Sequence, residues 1–267
     1  MLLLGLPPEL GFAWVTGFLV GLWGGAVALF AIVPVAELTT AQVTIFMSLI
    51  LFSHALPIEQ RIVQKAGPSF LVTSLMRLLC GLVYGLILHL IFQYSGWLQE
   101  PVAPHWIPTS SDPSWGAFFY ETAEALFWMF LILLGLVAGM RLLEWSGIMK
   151  LLRNGLTPIL RLAGIGPAAA PLTMVGLLLG LSYGGGLIIR EAQKGHLSAR
   201  DIFLATSFMG LAHSLIEDTL IAIALGADLT SVLVGRVIFS ILVVALLARL
   251  IDLVPQRTFF RYLFKAA

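Results

Sequence analysis

Charge and cysteine are the scarce things in this chain. Only 11% of its 267 residues are Asp, Glu, Lys or Arg, where a water-soluble domain carries about 25%. One cysteine, Cys80, excludes an internal disulfide and any Cys-based metal cluster. No Gly-rich loop ending in Lys-Ser or Lys-Thr is present, so any ATP-driven chemistry is expected to need a partner. HExxH is also missing. The formal net charge of +1 gives nucleic acid no electrostatic footprint. The opening MLLLGLPPEL has no basic n-region or small-residue cleavage site and is not read as a signal peptide.

What is present is apolar: 59% of the residues are hydrophobic. Apolar runs of roughly 20 residues recur, the length that crosses a bilayer. The expected fold class is an all-α polytopic membrane protein of the plasma (inner) membrane.

A shift of 159 residues lays the chain on itself. His54 falls on His213, Arg77 on Arg236, Ser48 on Ser207 and Glu59 on Asp218. Gly17, Gly21, Gly25 and Gly67 fall on Gly176, Gly180, Gly184 and Gly226. Leu-on-Leu coincidences are uninformative in such a composition; His, Arg and four Gly at one offset are not. Residues 11–94 and 170–253 are read as two copies of one unit. Between them, 95–169 holds an external loop, a central transmembrane helix (117–143) and a basic interfacial segment with Lys150, Arg153 and Arg161. Residues 254–267 form a basic tail.

Each unit has three parts. The first, 11–33 or 170–190, is expected to be a helix with Gly at every fourth position, allowing close helix approach. The second, 40–66 or 199–226, is interrupted near its middle, at His54–Pro57 or His213–Asp218. It is either one broken spanning helix or a re-entrant hairpin. The third, 69–94 or 229–252, is a spanning helix. Charge favours the hairpin. It collects Arg61, Lys65, Arg141, Lys150, Arg153, Arg161, Arg257, Arg261 and Lys265 on one side, and leaves Glu100, Asp112, Asp228 and the loop Arg190–Asp201 on the other. The basic side, with the C-terminus, is then cytoplasmic. The resulting units, each helix, re-entrant broken-helix hairpin, helix, run in opposite directions through the membrane, as inverted repeats do in many transporters.

Ionisable groups within such segments point to a site. The candidate substrate-binding residues are His213, Ser214, Glu217 and Asp218 in one unit and His54 and Glu59 in the other. Tyr183 and Gly184 of "SYGGG" join them as an unwound contact, although close helix packing explains that stretch equally well. His213 and Glu217 are expected to share a helix face at i, i+4 spacing. Arg77 and Arg236 either snorkel to the interface or, as their equivalence in both units favours, form structural ion pairs with an inward partner, Glu59 or Asp218. Ser214 and His213 are sequence neighbours, a poor nucleophile–base pair, so no enzyme is expected. No metal site or cofactor is assigned, with H⁺ or Na⁺ as a candidate coupling ion.

The "HSLIEDT" core and its surroundings over 168–226 resemble the nucleoside-recognition (Gate) domain family. That family includes spore maturation membrane proteins, the Gate region of the bacterial ferrous iron permease and, more distantly, concentrative nucleoside transporters. The resemblance extends weakly over 11–94, where "HALPIEQ" has Pro57 and lacks paired acids. It implies hairpin-containing inverted repeats and a transport-like core, with His213, Glu217 and Asp218 as the motif positions. Two functions follow. One is a permease core for a small polar solute, nucleoside-like or an ion. The other is a non-transporting assembly or signalling module. The expected partners are the lipid bilayer, the solute, and further copies of the chain or another membrane protein.

Overall fold

The computed structural model describes residues 1–34, 37–102 and 114–265. The protein is an all-α, multi-pass membrane protein. Its helices are α1 (Leu10–Val20), α2 (Leu22–Ile32), α3 (Thr40–Ser53), α4 (Leu56–Lys65), α5 (Phe70–Ser95), α6 (Trp115–Trp145) and α7 (Ile148–Leu162). Then follow α8 (Ala170–Leu179), α9 (Leu181–Gln193), α10 (Ala199–Ala212), α11 (Glu217–Ala224), α12 (Arg236–Leu253) and a short α13 (Gln256–Thr258). Among the described residues, five segments are long and apolar enough to cross a membrane: Thr40–Lys65, Phe70–Ser95, Trp115–Gly139, Ala199–Ala224 and Thr230–Leu253.

The re-entrant hairpin lies in the first part of each unit, not the second. α1 and α2 fold back on one another, as do α8 and α9. Each pair turns at one glycine in a conformation only glycine adopts freely, Gly21 (φ 128°) and Gly180 (φ 89°). The flanking glycines do the rest. A Cβ on Gly25 would press on the Gly17 backbone, and one on Gly184 on the Gly176 backbone. Arms of 10–13 residues suit a half-span.

The second part crosses the membrane as a broken helix. At one face Thr40 N donates to Glu100 O (3.0 Å) and Ala41 N to Leu98 O (2.8 Å), beyond the end of α5. At the other, Ser69 N donates to Leu263 O and Lys265 N to Gly67 O, both 2.8 Å. The segment therefore runs antiparallel to α5 over its whole length. The second copy runs the opposite way. Arg200, at its start, pairs with Asp252 at the end of α12 (2.7 and 3.0 Å), while Asp228 N, just beyond its end, donates to Thr44 Oγ1. Equivalent side chains start both: Thr39 and Ser198 accept from the backbone N–H three residues on, as helix N-caps do.

Parity is the same as in the sequence reading, because one hairpin and two crossings per unit remain. One expectation changes. The 194–198 loop lies on the basic face, where Gln193 and Leu197 line a cavity of about 490 Å³ together with Lys65 and Phe264. All of Arg61, Lys65, Arg161, Arg190, Lys194, Arg200, Arg257, Arg261 and Lys265 cluster toward this face. The opposite face carries Glu37, Glu100 and Asp228 and, among the described residues, no Lys or Arg. α7 rests at the basic face against α8 and α12. The described side chains of α6 are all half-buried or exposed.

Candidate functional site

Both broken helices stop near the middle of the membrane. α3 has 14 residues and α4 has 10, so the break lies about 21 Å from one end and about 15 Å from the other. At each break one non-glycine residue is left-handed: Ala55 (φ 46°) and Ser214 (φ 48°). These occupy equivalent positions at the 159-residue offset. Such residues cost about 1–3 kcal/mol and persist where the surroundings hold them. Here the hairpins do the holding. Ala55 N donates to Gly17 O (3.2 Å), and Leu215 N to Leu177 O (2.9 Å).

A helix end at membrane depth leaves orphan carbonyls that lipid cannot satisfy. Two buried arginines satisfy them. Arg77 donates from Nε to Phe52 O (2.7 Å) and from Nη2 to His54 O (3.3 Å). Arg236 donates from Nε to Leu211 O (3.0 Å) and from Nη2 to His213 O and Leu51 O, both 3.2 Å. The positive side chains also suit the negative helix C-terminal end. Only one forms the expected ion pair. Arg77 Nη1 lies 2.5 Å from Glu59 Oε2. Arg236 lies beyond salt-bridge distance from Asp218, and its Nη1 has no partner among the described residues. Capping, which a sequence search for carboxylate partners does not consider, is what the two arginines share.

The breaks face each other. His54 and His213 approach Nε2 to Nε2 at 3.1 Å. Each Nδ1 is bonded four residues back, to Ile50 O (3.0 Å) and Met209 O (2.9 Å). A carbonyl only accepts, so both Nδ1 atoms carry the hydrogen and both neutral rings turn a lone pair inward. Carboxylates join them. Glu59 Oε1 lies 3.2 Å from His213 Nε2 and 3.8 Å from His54 Nε2, and Asp218 Oδ2 lies 3.6 Å from His54 Nε2. All four side chains are buried, and Asp218 Oδ2 has no hydrogen-bond partner among the described residues.

Other candidates lie elsewhere. Glu217 is exposed and turned away from the cluster. The chain breaks between His213 and Glu217, so the i, i+4 face-sharing expected from sequence does not arise. Ser214 is half-buried, with its Oγ against Gly180 at the hairpin turn. Gly184 packs between hairpin arms, and α9 is helical from Leu181 onward, so "SYGGG" is not unwound. The Tyr183 side chain lies outside the described residues. Sequence reasoning passed over Gln60 and Thr219, equivalent neighbours of Glu59 and Asp218 whose buried oxygens Oε1 and Oγ1 lack partners among the described residues. The 159-residue offset already aligns them.

The chain is 26% identical over 254 residues to an uncharacterized membrane protein, YvoD, of Bacillus subtilis (strain 168), covering 92% of this chain and 78% of that protein. No protein-family model matches the chain, and no solved structure matches it.

Proposed function

We propose that this protein is the core of a secondary permease, not an enzyme, whose pathway passes through the midplane cluster of His54, Glu59, His213 and Asp218. The observation that carries this reading is the burial of four inward-facing acceptors where two oppositely directed broken helices meet. Polar groups and non-helical backbone at that depth survive when they serve a protein-lined site. Discontinuous helices in inverted units are how many transporters build one. Separations of 3.1–3.8 Å within the cluster suit an ion rather than a nucleoside in this conformation. Tyr183 and Gly184 then belong to the hairpin that gates the break, Ser214 packs against its turn, and H⁺ or Na⁺ remains the candidate coupling ion. The Gate-family resemblance of "HSLIEDT" agrees with a transport core. The basic face, with the C-terminus, is cytoplasmic by the positive-inside rule, in the plasma membrane of the cell.

The second reading, an assembly module acting with a partner or with further copies, rests on α6, whose described side chains are mostly exposed although it touches α7 and α11. Uptake into reconstituted vesicles separates the two. With a panel of nucleosides, monovalent cations and divalent cations, wild-type protein takes up a solute. His213→Asn and Glu59→Gln abolish that uptake, and Glu100→Gln leaves it intact. Uptake that survives both site changes removes the cluster from the pathway. Absence of any uptake favours the assembly reading.

A further inference from the structure

We infer that His54, His213, Glu59 and Asp218 form a four-coordinate binding site for a divalent transition-metal cation. The inference rests on the transport reading for its physiological use, but the site itself stands on geometry alone.

The ligand set is the first argument. Two imidazoles and two carboxylates are the donors that borderline divalent cations take, whereas Na⁺, Mg²⁺ and Ca²⁺ favour oxygen alone. The second is how the imidazoles are held. A metal-binding His commonly donates its other ring N–H to a carbonyl or carboxylate, which fixes the tautomer and aims the lone pair. Both Nδ1 atoms do so here, to Ile50 O and Met209 O.

Distances are the third. Ligands roughly 2.0–2.1 Å from a tetrahedral centre lie about 3.3–3.4 Å from one another. Four of the six separations between ligand atoms are His54–His213 3.1, His213–Glu59 3.2, His54–Asp218 3.6 and His54–Glu59 3.8 Å. Of these groups, the nearest ligand atoms of His54, His213 and Asp218 all lie within 4.8 Å of one another. The fourth is Asp218 Oδ2, buried, 3.6 Å from His54 Nε2 and without a hydrogen-bond donor among the described residues. A single proton shared between the two Nε2 atoms would leave that oxygen unsatisfied. A metal ion engages all four acceptors.

The arginines set the strength. Arg77 and Arg236 flank the cluster, so a divalent ion enters beside two buried positive charges, which the two carboxylates offset when both are ionised. Glu59 offers Oε1 to the metal while Oε2 stays with Arg77. That opposition weakens binding relative to a permanently held metal, as conduction requires.

Co(II) titration of the detergent-purified full chain tests the site. About one Co(II) per chain binds with the intense visible bands of four-coordinate geometry, and Zn(II) displaces it. Binding falls at least tenfold in His54→Gln and in Asp218→Asn and is retained in Glu217→Gln, whose side chain points away. No binding, or the weak bands of six-coordinate Co(II), overturns the inference. So does binding that survives both ligand changes. The wild-type spectrum decides if either variant fails to elute as folded protein. Co(II) binding without uptake of any cation keeps the metal site and removes the permease reading. Uptake of a solute by protein that binds no Co(II) does the reverse.

Discussion

His54 Nε2 stands 3.1 Å from His213 Nε2, across 159 residues of sequence. Each ring is fixed by the same bond, from Nδ1 to the carbonyl four residues earlier. The pair therefore joins two halves of the chain through equivalent atoms. Everything else at the membrane centre is arranged around that contact: two arginine-capped helix ends, two hairpin turns and two carboxylates.

The arginines should differ in cost although they occupy equivalent positions. Arg77→Met removes caps from two carbonyls and leaves Glu59 charged, buried and unpaired, a loss of about 3–5 kcal/mol. Arg236→Met strands carbonyls without breaking a direct ion pair, at about 1–3 kcal/mol for an unsatisfied group. Thermal unfolding in detergent reads both. Equal losses, or a larger loss in Arg236→Met, would contradict the asymmetry.

Sidedness is open to labelling. In a Cys80→Ala background, cysteines at Lys194 and at Arg257 should react with an impermeant reagent from one side of the membrane. A cysteine at Glu100 should react only from the other. Reaction of Lys194→Cys and Glu100→Cys from the same side would restore the hairpin to the second part of each unit.

Within "SYGGG" the glycines should not be equivalent. Gly184→Ala puts a methyl against the Gly176 backbone and Met209, an overpacking that costs about 1–3 kcal/mol. Gly186→Ala meets open space and should be neutral or slightly stabilising, since Ala is the better helix former. Melting temperatures in the same detergent decide. Equal tolerance would mean the hairpin arms are not in close contact.

The adjacent acids 217 and 218 should behave oppositely in transport. Asp218→Asn should lose uptake by tenfold or more, because the altered oxygen faces His54 at 3.6 Å. Glu217→Gln should retain it. Loss in both variants, with normal folding, would place Glu217 in the pathway after all.

The sequence by itself determined the class and the symmetry of the problem. Hydropathy and scarce charge required a membrane chain, and apolar runs of roughly 20 residues required helices, which satisfy their own backbone in lipid. The 159-residue offset paired His54 with His213 and Arg77 with Arg236, and the basic bias gave the parity of crossings. What it left open was which segment turns back. Residues 11–33 and 40–66 are both about a span long and both interrupted, so hydropathy cannot rank them. The decision lies in contacts between distant parts. Gly17 and Gly25 straddle Gly21 and let two backbones touch, whereas Thr40 and Lys65 are held at opposite ends of α5. Only the tertiary structure could bring Glu59 to His213, give the arginines carbonyls to cap, and turn Glu217 away while Asp218 faces inward. Those outcomes depend on side-chain directions across a helix break, where the regular spacing that sequence reading relies on no longer applies.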